Sequence, residues 1–217
     1  MSSAEVRDPA TTRDVLLATR NDAKLAELRR VVAGLGVEGV RIVGLDEVEA
    51  FDEAPETGAT FAENSLAKAR DATAATGMLA VADDSGLAVD ALNGMPGVLS
   101  ARWSGGAGDR REKDARNLAL VLDQLSDVPE ERRGAAFVCA AAAAHPDGRE
   151  IVVTEQWPGR LIRSPRGLNG FGYDPAFVPE GETRTSAEMS SAEKDAVSHR
   201  TRAFRALAPR LRTLLAD

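Results

Sequence analysis

Near the start of the chain, short runs of consecutive apolar residues alternate with stretches in which apolar residues recur at helical spacing. This alternation limits the fold more than any other feature of the sequence. The runs DVLLAT (14–19) and VRIVGL (40–45) are typical of buried strands. Leucines and valines recur at helical spacing over 21–36, and a helix over 56–77 opens with the capping-box pattern TFAE. Strands that alternate with helices predict an α/β or mixed α+β domain around a central sheet.

The rest of the chain continues the mixed pattern. Within 78–92 we expect a strand, a turn at Ser85 and Gly86, and a second apolar stretch. The segment 93–109 is rich in glycine and is predicted to be irregular. A helix is predicted over 111–125, followed by a β-hairpin over 134–159 that turns at HPDG. A second glycine-rich loop is predicted over 167–181, and a C-terminal helix over 191–215.

Composition narrows the class of protein. A chain of 217 residues with 43% hydrophobic residues can bury one ordinary core, so we expect a disordered tail over 1–12 and a single domain over 13–217. The net charge of −7 disfavours a general binder of nucleic acid or of anionic membranes. Cys139, the one cysteine, lies in an apolar run, which excludes a disulfide framework and predicts a buried thiol. No signal peptide is recognisable, and no apolar run approaches the roughly 20 residues of a membrane span, so we expect a cytoplasmic protein.

The first strand-to-helix turn carries polar side chains. Thr19 and Asn21 follow the strand, and Lys24 lies at the start of the helix. Backbone N–H groups and a cation that converge at a helix N-terminus are typical of anion binding. The same residues are compatible with a plain turn in which Asn21 caps the helix and Lys24 faces solvent. The P-loop and Rossmann glycine patterns are both absent, so phosphate binding here would be of another kind.

Acidic residues form the second candidate site. Glu56 precedes a helix that carries Lys68, and Asp83 and Asp84 are adjacent at a predicted strand end. Carboxylate oxygens, together with phosphate and water, are the ligands that Mg²⁺ takes. Two adjacent carboxylates at a strand end can diverge, so that one holds a metal while the other orients a water. A solvated strand end with a turn aspartate is the structural alternative.

The GFGYDP loop (170–175) is a candidate recognition element. It presents Phe171, Tyr173 and Asp174 between flexible glycines, and so offers an aromatic face beside a hydrogen-bond acceptor. Either aromatic residue is equally compatible with a place in the core.

The EKDAVSHR segment carries Lys194, His199 and Arg200 near the start of the C-terminal helix. On an ideal helix Lys194 shares a face with Ser198, whereas His199 and Arg200 point elsewhere. Periodicity alone therefore does not bring these side chains to one ligand, and a solvated charged face is the alternative.

Five segments of the chain carry a resemblance when they are taken together and in order. The segments are ATRNDAKLAEL, ETGATFAENSLAKA, ADDSGLAVDALNGMPGVLSARWSG, GFGYDP and SAEKDAVSHR. They closely resemble the non-standard purine nucleoside-triphosphate pyrophosphatases, the inosine triphosphatase-like enzymes. The resemblance spans residues 14 to about 210, and its middle segment is long enough to be highly specific.

The resemblance implies a fold and an activity. The fold would be an elongated mixed α/β structure with two lobes around a central mixed sheet, a substrate cleft between the lobes, and a homodimeric assembly. The reaction would be Mg²⁺-dependent hydrolysis of ITP, dITP or XTP to the nucleoside monophosphate and pyrophosphate. Such an enzyme removes deaminated purine nucleotides before they enter DNA or RNA.

The resemblance also implies roles for individual residues. Those implied to hold the triphosphate are Thr19, Asn21, Lys24 and Lys68. Those implied to bind the metal are Glu56 and Asp83, with Asp84 as a third candidate, and Asp84 is also implied as the general base that activates water. Those implied to contact the nucleoside are Ser85, Phe171, Gly172, Tyr173, Asp174, Lys194, His199 and Arg200. The family has a small residue at the position of Arg20, which here either points away harmlessly or adds a phosphate contact.

Base selection has a physical interpretation within this resemblance. Inosine and xanthine present O6 as an acceptor where adenine presents an amino donor. Donors such as Lys194, His199 and Arg200 near O6 would favour the former bases, because adenine would leave buried donors unpaired. The sequence is also compatible with two other functions: a nucleotide sensor that does not hydrolyse its ligand, and a pyrophosphatase for modified pyrimidine or methylated nucleotides.

Overall fold

The computed structural model describes residues 13–20, 25–26, 29–30, 40–52 and 55–215. Its strands form one mixed sheet in the order β2-β1-β3-β4-β5-β6. The strands are β1 (Arg13–Leu17), β2 (Val40–Gly44), β3 (Leu79–Val89), β4 (Gly134–Ala144), β5 (Glu150–Leu161) and β6 (Phe177–Pro179). β1 pairs in parallel with β2 and β3, and every pair from β3 to β6 is antiparallel. The predicted mixed α/β class is therefore confirmed.

Helices cover both faces of this sheet. Those described completely are α1 (Phe61–Thr76), α2 (Arg110–Gln124), α3 (Ser191–Val197) and α4 (His199–Leu215). Residues 25–26 and 29–30 are also helical, whereas the predicted tail over 1–12 and most of the predicted helix over 21–36 lie outside the described residues. Among the described helices, none has the length and apolar character needed to span a bilayer.

Local sequence signals explain where α1 begins and ends. The Thr60 hydroxyl accepts a hydrogen bond from Glu63 N at 3.1 Å, and the Glu63 carboxylate accepts one from Thr60 N at 3.1 Å. This reciprocal pair satisfies N–H groups that a helix start leaves without intrahelical partners. Gly77 ends the helix with φ +68°, a conformation that glycine adopts without steric penalty.

The predicted β-hairpin is present as β4 and β5. His145 N donates to Arg149 O at 2.9 Å and Gly148 N donates to His145 O at 2.9 Å, so the HPDG sequence forms the turn. The two long strands then pair from Ala144 opposite Glu150 down to Gly134 opposite Arg160. Both strands of the hairpin contribute residues to more than one apolar cluster of the core.

Three apolar clusters form the core, two in one lobe of the structure and one in the other. In the first lobe alternate residues of β3 pack against opposite helices: Ala80 faces the alanines of α1, whereas Val81 faces Phe204 of α4. In the second lobe Leu87 and Val89, further along the same strand, pack with α2 and the ring of Trp157. Because β3 and β4 belong to both lobes, residues near the middle of these strands lie where the lobes meet.

The predicted turn at Ser85 and Gly86 is wrong, because β3 continues through both residues. Ser85 lies opposite Cys139 and Gly86 opposite Val138 in the ladder with β4, and this pairing overrides the local turn preference. Gly86 serves close packing instead. A Cβ at this position would lie 2.3 Å from the Ser100 hydroxyl, so glycine lets residues 97–102 sit directly on the strand.

The C-terminal segment differs from the single helix predicted over 191–215. Ser190 caps α3 as expected, since its hydroxyl accepts from Glu193 N at 3.3 Å. Ser198 then leaves the helical conformation with ψ 161° and caps a second helix by accepting from Thr201 N at 3.3 Å. A serine that competes for backbone N–H groups favours such a break.

The two glycine-rich segments are less irregular than predicted. The segment 93–109 contains the 3₁₀ turn Gly97–Arg102. The loop predicted over 167–181 includes the 3₁₀ turn Asp174–Ala176 and strand β6, which pairs with the end of β5. Cys139 is buried, as predicted.

Candidate active site

A cleft opens where β1 ends and β3 continues. β1 follows β3 only as far as Leu17 opposite Val81, and Ala18 N then donates to Val81 O at 2.8 Å. Beyond this point one edge of β3 faces a cavity of about 400 Å³ between the lobes. The described site residues from the sequence analysis all line it: Thr19, Arg20, Glu56, Lys68, Asp83, Asp84, Ser85, Phe171, Gly172, Tyr173, Asp174, Lys194, His199 and Arg200. Asn21 and Lys24 lie outside the described residues.

The adjacent carboxylates of Asp83 and Asp84 diverge, although they lie within a strand and not at its end. Asp83 points to the α4 side, where its Oδ2 lies 3.5 Å from Arg200 Nε. Asp84 points to the α1 side, where its Oδ2 accepts from Asn64 Nδ2 at 3.0 Å. Both residues border the cleft because the neighbouring strand β1 has already ended.

Lys68 joins the acidic residues on the α1 side. Its ammonium forms an ion pair with Glu56 and lies 3.4 Å from both Asp84 Oδ1 and the Asp83 carbonyl oxygen. Burial disfavours the charged ammonium, but the carboxylates of Asp84, Glu56 and Asp83 outweigh this effect and raise the pKa of Lys68. Lys68 therefore carries its charge at neutral pH.

The acidic cluster suits a hard cation. The carboxylates of Glu56 and Asp84 both contact the Lys68 ammonium. Carboxylate oxygens from the segment before α1 and from β3 therefore already surround one positive charge. Within the part of the chain that the structure describes, no three histidine, cysteine or carboxylate side chains converge as a preformed metal centre. A magnesium ion here would take one or two carboxylates from the protein and complete its shell with phosphate and water, which is its common mode of binding.

The opposite end of the cleft is aromatic and cationic. Three cationic groups lie over the Phe171 ring, with Arg110, Lys194 and Arg200 at 4.9, 5.2 and 5.3 Å from its centroid. Ring faces attract cations through their quadrupole, and Phe171 is itself partly exposed to the cleft. This end therefore offers a flat apolar surface surrounded by hydrogen-bond donors.

Asp174 holds the glycine-rich loop in place. Its carboxylate accepts from Phe171 N at 2.8 Å, from the Ser186 hydroxyl at 2.7 Å and from Lys194 Nζ at 2.6 Å. Gly170 is required beside it, since its φ is +74° and a Cβ would lie 2.1 Å from the Asp174 carboxylate.

Of the two aromatic residues in the glycine-rich loop, Tyr173 is the one that packs in the core. It is buried in the second lobe, and its hydroxyl donates to Ser100 O at 2.8 Å. Burial, followed by the nearby Asp114 carboxylate, raises the pKa of the Tyr173 phenol. Tyr173 therefore remains a neutral donor that ties the loop to residues 97–102.

The break at Ser198 brings Lys194, His199 and Arg200 to the same cavity, which helical periodicity did not predict. The imidazole of His199 stacks on Phe137 with ring centroids 4.9 Å apart. Arg200 Nη2 donates to the Ser85 hydroxyl at 3.0 Å. Arg200 thus contacts β3 at one side and the Phe171 ring at the other.

Sequence reasoning missed several residues in or beside this cleft. Asn64 lies four positions before Lys68 in α1, so the spacing that places two residues on one helix face was a usable signal. Arg110 covers Phe171, and Arg102 Nη1 lies 3.1 Å from Glu56 Oε2. These arginines belong to a region with many basic residues, where sequence alone does not single them out.

Arg20 follows β1, and its side chain extends towards a neighbouring segment. Its guanidinium donates to the Phe51 carbonyl and lies 5.9 Å from the Phe51 ring centroid. The side chain is exposed at the rim of the cleft.

Comparisons with known proteins show which proteins this chain resembles in sequence and fold. The chain matches the sequence model of the Ham1 family over residues 15–210. A dITP/XTP pyrophosphatase of Nocardia farcinica is 64% identical over 200 residues, which are 92% of this chain and 95% of the relative. The crystal structure of a nucleoside-triphosphatase, or dITP/XTP pyrophosphatase, from Mycobacterium abscessus is 59% identical with a TM-score of 0.73, and the match covers 90% of this chain and 99% of that one. A HAM1 protein from Coxiella burnetii is 38% identical with a TM-score of 0.80, over 92% and 98% of the two chains.

Proposed function

This chain belongs to the Ham1 family, and we propose that it hydrolyses dITP, XTP and ITP to the nucleoside monophosphate and pyrophosphate. The observation that carries this proposal is the division of one cleft into two chemically different ends. Lys68 with its carboxylates forms one end, and Phe171 with its cations forms the other. A purine nucleoside triphosphate has the matching division, with a flat base at one end and a charged chain at the other.

We assign the general base to Asp84. Its Oδ2 accepts from Asn64 and its Oδ1 lies near both Lys68 and Ser85 N, so the carboxylate is held in one orientation at the edge of the cleft. A carboxylate in this position can accept a proton from a water that attacks the α-phosphorus. Lys68 stabilises the negative charge that develops on the phosphate oxygens.

The acidic cluster is proposed to hold Mg²⁺. Glu56 and Asp84 are the pair that already share a cationic partner, while the Asp83 carboxylate lies on the other side of β3 near Arg200. The ion, when bound, supplies charge neutralisation for the phosphate oxygens and for departing pyrophosphate. Thr19, Asn21 and Lys24 are proposed to bind the triphosphate where the chain leaves β1.

Base selection is proposed to act at the Phe171 end. The purine stacks on Phe171, and donors from Lys194, His199 and Arg200 face its O6 edge. A 6-amino base would place a donor against these donors and leave buried groups unpaired, which weakens transition-state binding. ATP is therefore a poor substrate in this account.

Substrate profiling tests this function. Pyrophosphate and orthophosphate are measured separately from dITP, XTP, ITP, GTP and ATP, each with Mg²⁺ and with excess chelator. We expect Mg²⁺-dependent pyrophosphate from dITP, XTP and ITP, with little product from ATP. Binding of dITP without turnover would favour a sensor, and a preference for modified pyrimidine or methylated nucleotides would overturn the proposed base selection.

We also propose that the protein is a homodimer that acts in the cytoplasm, as the family resemblance suggests. Light scattering coupled to size-exclusion chromatography measures the mass in solution. A mass of one 22.9 kDa chain would exclude the homodimer under those conditions.

A further inference from the structure

We propose that Asn64 is a positioning residue that fixes the orientation of Asp84 and ties it to the loop that carries Glu56. This inference rests on the proposed function, because it assigns Asn64 a role through the general base of that reaction. Asn64 lies at the end of the first turn of α1, and the residue is 2% exposed. Asparagine is a poor helix former, and a buried polar side chain inside a helix needs partners outside it.

Both ends of the Asn64 amide have a defined partner. Nδ2 donates to Asp84 Oδ2 at 3.0 Å, and Oδ1 accepts from Gly58 N at 2.8 Å. Because one partner requires a donor and the other an acceptor, the orientation of the amide is determined by its surroundings. Asn64 therefore connects the strand with the acidic pair to the segment before α1.

The donor from Asn64 is one of several donors around the Asp84 carboxylate. Lys68 Nζ lies 3.4 Å from Oδ1, and Ser85 N donates to the same oxygen at 3.1 Å. Asn64 and Lys68 are four residues apart, so one face of α1 supplies a donor to each carboxylate oxygen. Loss of the Asn64 donor would remove one restraint on the orientation of Asp84 Oδ2 towards the attacking water.

The hydrogen bond from Gly58 N to Asn64 Oδ1 links Asn64 to the loop that carries Glu56. Gly58 follows Glu56 by two residues, and a Cβ at Gly58 would lie 2.6 Å from Asn64 Oδ1. Glycine at this position therefore permits the loop to approach the amide. Through this contact Asn64 sets the distance between the Glu56 loop and the Asp84 carboxylate.

Two substitutions separate these bonds. Asn64→Asp keeps the acceptor for Gly58 N but replaces the donor towards Asp84 with a carboxylate oxygen, whereas Asn64→Ala removes both contacts. Thr73→Val is the matched control, because Thr73 lies on the same helix and donates one buried hydrogen bond, to Ala144 O, away from the cleft. Thermal unfolding of all variants shows which of them fold.

Steady-state kinetics with dITP are then compared with wild type. We expect both Asn64 variants to lower kcat about 10- to 100-fold, the range for a lost hydrogen bond to a charged group, while KM changes far less. Thr73→Val should keep the wild-type kcat. Wild-type kcat in folded Asn64→Ala, or full recovery of kcat in Asn64→Asp, would overturn the positioning role.

A double-mutant cycle gives a readout that a merely structural role does not move. If Asn64 acts through Asp84, then adding Asn64→Ala to Asp84→Asn should lower kcat by no more than about 3-fold. If Asn64→Ala lowers kcat by the same factor in wild type and in Asp84→Asn, the two residues act independently and the inference is rejected. If wild type itself releases no pyrophosphate, the proposed function fails and this inference fails with it; an active wild type with insensitive Asn64 variants rejects the inference alone.

Discussion

Lys194 and Asp174 form a buried ion pair in which Nζ lies 2.6 Å from Oδ2, with only 9% and 2% of the two side chains exposed. The Asp174 carboxylate also holds Phe171 N and the Ser186 hydroxyl. The Asp174 carboxylate thus positions Lys194, the loop that carries Phe171 and the turn that carries Ser186. The proposed base recognition requires these parts to be held in a fixed arrangement, and the contacts of Asp174 supply it.

Asp174→Ala should destabilise the fold strongly, because it leaves the Lys194 ammonium buried without its carboxylate. We expect a loss of about 3–5 kcal/mol in the free energy of unfolding, measured by chemical denaturation. The control is Glu150→Gln, which breaks the exposed pair with Arg70 and should cost about 1 kcal/mol or less. Equal losses in the two variants would contradict the importance of the buried pair.

Lys194→Ala should weaken substrate selection. The substitution removes a donor and a cation above the Phe171 ring, so the advantage of an O6 acceptor over a 6-amino group decreases. The ratio of kcat/KM for ITP to that for ATP should fall relative to wild type. An unchanged ratio in a folded variant would remove Lys194 from base recognition.

Asp84→Asn should abolish most turnover and leave the fold intact. The asparagine has the same shape and can still accept from Asn64, but it cannot take the proton of the attacking water. General-base catalysis contributes about 10²- to 10⁴-fold, and we expect kcat to fall within this range. Near wild-type kcat in this variant would exclude Asp84 as the base.

Gly86→Ala should lower stability by overpacking the junction between the lobes. The new Cβ would lie 2.3 Å from the Ser100 hydroxyl and 2.6 Å from Gly97 O, and contacts this close force neighbouring groups to move. We expect a cost of about 1–3 kcal/mol in the free energy of unfolding. Gly181→Ala is the control, since a Cβ there meets nothing within 4 Å and its cost comes only from φ +81°.

Much of the fold could be predicted because its signals are local. Thr60 and Glu63 specify the start of α1, and the HPDG turn specifies the hairpin, each through hydrogen bonds within a few residues. The expected turn at Ser85 failed because pairing with β4, more than 50 residues away in sequence, overrides local preference. Long-range pairing of this kind leaves no signal in a short window.

The site was predicted better in its members than in its geometry. The resemblance supplied Lys194, His199 and Arg200, but only the helix break at Ser198 explains how all three reach one cavity. Asn64 was missed because its spacing from Lys68 places it on the same helix face but does not reveal its partners Asp84 and Gly58. Residues that act through another residue are recognised from contacts, which the sequence does not contain.

Hydrolysis of dITP in water enriched with ¹⁸O tests the central claim most directly. Attack of water on the α-phosphorus, activated by Asp84, places the label in the nucleoside monophosphate and none in pyrophosphate. Mass spectrometry of the two products distinguishes the sites of attack. We predict one labelled oxygen in dIMP and unlabelled pyrophosphate; label in pyrophosphate, or labelled orthophosphate as the first product, would contradict the proposed reaction.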